Sequence, residues 1–177
     1  MIDYSDLLTG THVFLDIGTW DGAAVVAAAK AGARQIDSYD PSQDRMAAAR
    51  IAAATLLATQ PHRATITFYH GEHREALHAL AEKHRRTPLL IRLDLRLYAE
   101  LGLSQLHEDL GIVRHRFALA LCPPLLLVTH LDALPDFAAR PAPFKGAGAD
   151  RHDYKLLLLS EENALLVLPR WWRGTED

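Results

Sequence analysis

HVFLDIGTWDGAAVVAAAKAGARQIDSYDP, residues 12–41, switches periodicity twice and closes on an acid. Val13 to Ile17 is a short apolar run with β-branched residues, bounded by a turn signal, which predicts a buried parallel strand. Gly18 and Gly22 bracket a turn where backbone can come close to a ligand, because neither residue carries a Cβ. Ala23 to Ala31 is alanine-dense and predicts a helix that Gly32 stops. Gln35 to Tyr39 predicts a second strand, with Asp40 at its carboxyl end and Pro41 ending the pairing. A strand–helix–strand unit of about 30 residues, with glycines at its first turn and an acid about 20 residues on, suits a nucleotide cofactor. The acid's task there is to accept hydrogen bonds from ribose hydroxyls.

A dinucleotide turn needs G-x-G-x-x-G, whereas this chain reads Gly18-Thr19-Trp20-Asp21-Gly22. Trp20 stands where the middle glycine would let a pyrophosphate approach, which argues against a dinucleotide. What remains is D-I-G-x-x-x-G, with Asp16 near the end of the strand. That wording resembles motif I of class I S-adenosylmethionine-dependent methyltransferases. FLDIGTWDG followed by YDPS is similar, more narrowly, to the FkbM-type branch, whose usual wording is near D-I-G-A-N-x-G followed by F-E-P. The resemblance implies an α/β, Rossmann-like three-layer sandwich with a mostly parallel central sheet and a C-terminal antiparallel β-hairpin. It also implies S-adenosylmethionine as cofactor. Asp16, Gly18 and Gly22 would then lie at its amino acid part, Trp20 would wall that pocket, and Asp40 would hold the ribose.

The chain has 177 residues, 49% apolar and 23% charged, which is ordinary for one globular domain. Its 22 acids outnumber 19 Lys and Arg for a net charge of −3, so the total carries no basic footprint for nucleic acid. One cysteine, Cys122, forms no intrachain disulfide and points to a reducing compartment. Residues 1–10 (MIDYSDLLTG) carry acids and no apolar core, so they do not read as a secretory signal, and no apolar run approaches a membrane span of about 20 residues. The expectation is a cytoplasmic protein without a membrane partner.

Beyond Asp40, residues 44–59 predict a helix with small side chains, and Thr65 to Tyr69 a third strand. His70-Gly71-Glu72-His73 falls at its carboxyl end, where open α/β sheets place their ligand crevice. By the resemblance, Gly71 and Glu72 lie near the adenine. Residues 73–86 predict an amphipathic helix whose histidines (73, 78 and 84) lack the spacing of a metal pair and fall on a solvated face. Tyr4 reads as a surface aromatic or as a cover for the site.

Pro88 to Leu93 predicts the fourth strand and Asp94 its terminal acid. The resemblance places K-I-D-V-E-G here, close to the transferable methyl group; the aspartate matches, but Arg96 and Leu97 replace the glutamate and glycine. Asp94 is therefore a candidate general base, or an orienting acceptor for a substrate hydroxyl, or the cap of the next helix. Residues 98–110 predict a helix with Gly111 as its stop, and Arg114-His115-Arg116 a solvated turn. Leu125 to Val128 predicts the fifth strand, which puts Thr129-His130-Leu131-Asp132 at its carboxyl end. His130 is the alternative base; Asp94 with Asp132 could serve a hard cation, but no further acid or amide joins them, so no metal is expected.

Residues 133–153 are rich in proline and glycine and read as a lid. Two apolar runs, 154–159 and 164–168, separated by Ser160-Glu161-Glu162-Asn163, predict the terminal hairpin. Trp171-Trp172 reads as a homo-oligomer contact or as packing back on the sheet. Two functions follow: an S-adenosylmethionine-dependent methyltransferase acting on a hydroxyl of a small-molecule substrate, or a methyltransferase-like binding protein that has lost the reaction.

Overall fold

The computed structural model describes residues 4–8, 12–59, 64–84, 87–117, 125–135, 137, 155–158 and 162–167. The elements run α1 (Tyr4–Leu7), β1 (Val13–Ile17), α2 (Ala23–Lys30), β2 (Gln35–Tyr39), α3 (Gln43–Ala58), β3 (Thr65–Tyr69) and α4 (His73–Lys83). They continue with β4 (Leu89–Asp94), α5 (Leu95–Leu101), α6 (Leu103–Phe117), β5 (Leu125–Thr129), a 3₁₀ turn (Leu131–Ala133), β6 (Lys155–Leu158) and β7 (Asn163–Val167). One sheet takes the order β3-β2-β1-β4-β5-β7-β6. Strands β1 to β5 are mutually parallel, and β7 runs antiparallel to both β5 and β6.

Side chains alternate along each strand, so β1 feeds two cores. Val13, Leu15 and Ile17 join Leu77 and Leu80 of α4, Leu97 and Tyr98 of α5, and Leu106 and Leu110 of α6. Phe14 faces the other way, into Val25, Ala28 and Ala29 of α2 and Ala53 and Leu57 of α3. The alanines of α2 and α3 let those helices lie close to the sheet. Each fully buried leucine contributes about 1.5–3 kcal/mol, which keeps the strand ends in fixed register. The result is a Rossmann-like α/β fold on a parallel central sheet.

Several expectations change here. Gly111 does not stop a helix. The break comes at Gly102, whose φ of 95° ends α5, and α6 runs on through Gly111 and 114–116 to Phe117. His73 and His84 are not on a solvated face: they are 7% and 2% exposed, each against a fully buried acid. His73 Nε2 lies 2.5 Å from Asp109 Oδ2, which also accepts from Tyr98 at 2.7 Å. His84 bonds Asp37, which Lys83 also reaches at 2.8 Å. The leucine periodicity was visible, but a histidine beside it looks solvated until its buried acid is known. Tyr4 is not a surface aromatic either; it is buried edge-on against Phe14, and burial pushes its hydroxyl up to about 12.

The lid of residues 133–153 is described only at 133–135 and 137, and Trp171-Trp172 lies outside the described residues. Among the described residues, no helix is long and apolar enough to cross a membrane.

Candidate functional site

The parallel register sets Asp16 of β1 beside Ser38 of β2 and Arg92 of β4. These three polar residues form one row inside the sheet, at its carboxyl end. Ser38 Oγ donates to Asp16 Oδ2 at 2.8 Å, and Thr19 Oγ1 lies 2.6 Å from Ser38 Oγ. The Arg92 guanidinium donates to Asp16 Oδ1 at 2.6 Å, to the Gly18 carbonyl at 3.2 Å and to Asp94 Oδ2 at 2.5 Å. Arg92 is thus the buried bridge that ties the β1 turn to the end of β4. Burial works against its charge, but the carboxylates of Asp16 and Asp94 outweigh that and raise its pKa further. Burial pushes Asp16 up against the pull of Arg92 and Ser38.

Asp94 has a second cation. Arg96 donates to it from Nε at 3.0 Å and from Nη2 at 2.7 Å, and the Arg96 backbone N–H donates at 3.0 Å, so Asp94 caps α5. Burial alone would raise its pKa; the bonds from Arg96 and the charge of Arg92 outweigh it and hold the carboxyl below its ordinary range. His130 stands next to this carboxylate, with Nε2 at 3.7 Å from Oδ2. The two catalytic candidates are therefore neighbours. His130 has φ 58°, a left-handed backbone uncommon for a residue with a side chain.

Both turn glycines are explained by packing. A Cβ on Gly18 would stand 2.8 Å from Asp94 Cβ, and one on Gly22 would meet Ala49 of α3 at 3.1 Å. Their φ angles, 94° and 78°, also favour glycine. The bare Cα at each position permits a close approach to β4 and α3.

At the end of β2, Asp40 is fully buried. Its Oδ1 accepts from Ser42 N–H at 2.9 Å and pairs with Arg45 Nε at 3.0 Å; its Oδ2 is 3.3 Å from the Trp20 N–H. The indole of Trp20 draws two cations together, with Arg45 at 4.3 Å and Arg96 at 4.5 Å from its centroid. Arg45 also forks onto Glu100 of α5 at 3.0 and 2.6 Å. At the end of β3, Gly71 has φ 133° with open space around it, and its carbonyl accepts from Tyr39 at 3.0 Å. Glu72 caps α4 by accepting from Glu75 N–H at 2.7 Å, and that bond leads in lowering its pKa.

A cavity of about 400 Å³ opens beside this row, edged by Tyr4, Thr19, Arg92, Arg96, Thr129 and His130. Thr129 is 3% exposed, and its Oγ1 is buried with no hydrogen-bond partner. Among the described residues, no group of three or more His, Cys, Asp or Glu side chains could hold a metal.

No protein-family model matches the chain, and no curated protein matches it. Solved structures do. S-adenosylhomocysteine-bound methyltransferase PaMTH1 of Podospora anserina superposes with a TM-score of 0.59 at 14% identity, over 93% of this chain and 74% of that one. The calicheamicin methyltransferase CalS11 gives 0.59 at 17% identity, over 92% and 74%. The methyltransferase domain of bacterial CtHen1 gives 0.59 at 12% identity, over 93% of both chains. The shared feature is the fold.

Sequence reasoning missed Arg92, Thr129 and the Arg45–Glu100 clasp. Arg92 had a signal: one cation inside the apolar run PLLIRL is costly unless an acid faces it. Thr129 and Glu100 had none, because their significance comes only from what surrounds them.

Proposed function

We propose that this chain is an S-adenosylmethionine-dependent methyltransferase that methylates a hydroxyl of a small molecule. The observation that supports it is a convergence. Asp40 at the end of β2, the glycine turn after β1, and Asp94 with His130 after β4 and β5 all lie at the carboxyl ends of neighbouring parallel strands, and Thr19 of the turn and His130 line a cavity of about 400 Å³ there. The likeness in fold to methyltransferases adds to this. The finer assignment to the FkbM-type branch rests on FLDIGTWDG and YDPS alone. A cytoplasmic place and homo-oligomeric assembly belong to the same proposal and rest on the lone cysteine and Trp171-Trp172.

The residues present fit the cofactor at the ribose. Asp40 is an acceptor at the right strand end, and its Oδ2 has only one long bond, from Trp20 N–H at 3.3 Å. Gly71, beyond β3, has open space where a side chain would stand, and the base would lie on that side. Asp16 does not reach a ligand, because Ser38 and Arg92 take its oxygens; it holds the turn from beneath. The cofactor would supply an activated methyl group, and the protein's share is alignment and proton removal. Asp94, held ionised by two guanidiniums, is a weak base and serves to orient His130. His130 then takes the hydroxyl proton on the ring nitrogen turned away from Asp94, with the orphaned Thr129 Oγ1 placed to steer the acceptor.

A second reading has one observation in its favour: Leu97 packs onto Gly18, and Arg96 is spent on Asp94 and Trp20, as suits a binding protein without the reaction. Calorimetric titration of S-adenosylhomocysteine into the wild type and Asp40→Ala tests the main proposal. Micromolar binding that the variant loses supports it. No heat and no thermal shift with wild type overturns it, since a ligand selective for the folded form must stabilise it.

A further inference from the structure

We infer that Trp20 and the Arg45–Glu100 clasp form a built-in closure across the crevice, which a ligand must open before it can reach Asp40. The inference rests on the cofactor reading above. Arg45 is rooted in the first turn of α3, just past the end of β2; Arg96 and Glu100 belong to α5, just past the end of β4. Between these strands lies β1, whose turn carries Trp20. The Trp20 ring therefore links the two flanks of the turn, with guanidinium contacts of 4.3 and 4.5 Å. Arg45 completes the strap by holding Asp40 with Nε while its Nη atoms grip Glu100. Arg45 Nε holds Asp40 Oδ1, while Oδ2, which a ribose hydroxyl would take, is met by the Trp20 N–H, so the strap and its ring stand at both oxygens of that carboxylate.

The closure has the marks of a poised state rather than a fixed one. Trp20 has φ 52°, a backbone that aromatic residues seldom adopt. Its Nε1 is buried without a hydrogen-bond partner among the described residues. Both features work against the closed form. In its favour stand two cation–π contacts, the Arg45–Asp40 pair and one forked ion pair, in which Arg45 and Glu100 are 22% and 49% exposed and so easily rehydrated. Arg92, by contrast, is buried in its bridge and stays in place when the strap opens.

A protein that is mostly closed binds with its intrinsic affinity reduced by the open fraction. Trp20→Gly removes the ring and suits the left-handed backbone; Glu100→Ala releases Arg45 while altering only an exposed side chain. S-adenosylhomocysteine should bind Trp20→Gly about ten-fold tighter than wild type, and Glu100→Ala tighter by a smaller factor. In a Trp171→Phe/Trp172→Phe protein, Trp20 is the sole tryptophan of the original three. Saturating ligand should then red-shift its emission and raise acrylamide quenching, and Glu100→Ala should do so without ligand. Wild-type binding that Trp20→Gly weakens would make Trp20 a wall of the pocket, overturning the closure and sparing the cofactor reading. Binding without a change in Trp20 emission also overturns the closure alone. No binding by wild type or either variant removes both.

Discussion

Replacing Arg92 with methionine tests the reading of the whole site, because that one guanidinium joins β1 to β4. The side chain is 6% exposed and contacts Asp16 and Asp94 at 2.6 and 2.5 Å. A unit pair about 4 Å apart gains about 4 kcal/mol at an effective dielectric of about 20, so the two pairs are worth about 8 kcal/mol before desolvation. Desolvation offsets much of this in the intact bridge, but deleting one partner of a buried pair costs about 3–5 kcal/mol. That is a fifth or more of the stability of an ordinary domain. With a urea dependence of about 2 kcal/mol per molar, the unfolding midpoint should fall by roughly 1.5–2.5 M at pH 7. The loss should depend on pH in a definite direction. Asp94 keeps Arg96, whereas Asp16 keeps only Ser38, so Asp16 is the carboxylate left without a cation. Its folded pKa, already pushed up by burial, then rises further above the unfolded value. A raised folded pKa in an acid stabilises at low pH and loses that contribution as pH climbs through it. The Arg92→Met deficit should therefore shrink as pH falls from 7 towards the unfolded value of about 3.9, and Asp16→Asn/Arg92→Met should recover half or more of it. A deficit under about 1 kcal/mol that ignores pH and is not rescued by Asp16→Asn would refute the buried bridge.

The packing account of the turn predicts that Gly18→Ala lowers the melting temperature by about 6–12 °C, since its Cβ would stand 2.8 Å from that of Asp94. Gly32→Ala, also at positive φ but in open space, should cost only about 1 kcal/mol and a few degrees by thermal unfolding; equal losses would dismiss the contact. At Asp37, burial favours the neutral acid, yet the bonds from His84 and Lys83 prevail and lower its pKa. Its stabilisation is then complete above the unfolded value of about 3.9 and fades as pH falls below it. Urea midpoints of wild type and Asp37→Asn should stand apart at pH 7 and converge near pH 2–3, and a constant gap contradicts this. If His130 takes the proton, His130→Gln should lower kcat about 10²- to 10⁴-fold while leaving S-adenosylhomocysteine affinity unchanged; a kcat within a factor of two returns the proton to another group.

The parts of the fold that follow from local pattern were legible. Residues 13–17 and 35–39 read as strands from their composition, and the parallel sheet follows from the helix that joins them. Asp40 was singled out by the strand–helix–strand unit with an acid about 20 residues past its glycines, and His130 by its place at the carboxyl end of the fifth strand. The helix break was misplaced because two glycines, at 102 and 111, compete for it, and only tertiary packing decides that Gly111 stays helical. The buried acids were illegible for a different reason. Asp37 and Asp109 find their partners 47 and 36 residues away, and nothing local marks an acid as one that will meet a histidine in the core.

Asp16, Gly18 and Gly22, the residues most readily read as ligand contacts, each meet another part of the chain closely. Asp16 gives its oxygens to Ser38 and Arg92, Gly18 makes room for Asp94, and Gly22 for Ala49. The turn's two glycines thus fit it between β4 and α3. Whatever chemistry distinguishes this chain must come from groups with capacity to spare: the Asp40 oxygen with one long bond, the orphaned Thr129 hydroxyl, and His130 in its left-handed backbone. Such positions are where a substitution should change ligand or reaction without unfolding the sheet. The motif, by the same reasoning, is where it should unfold the sheet first.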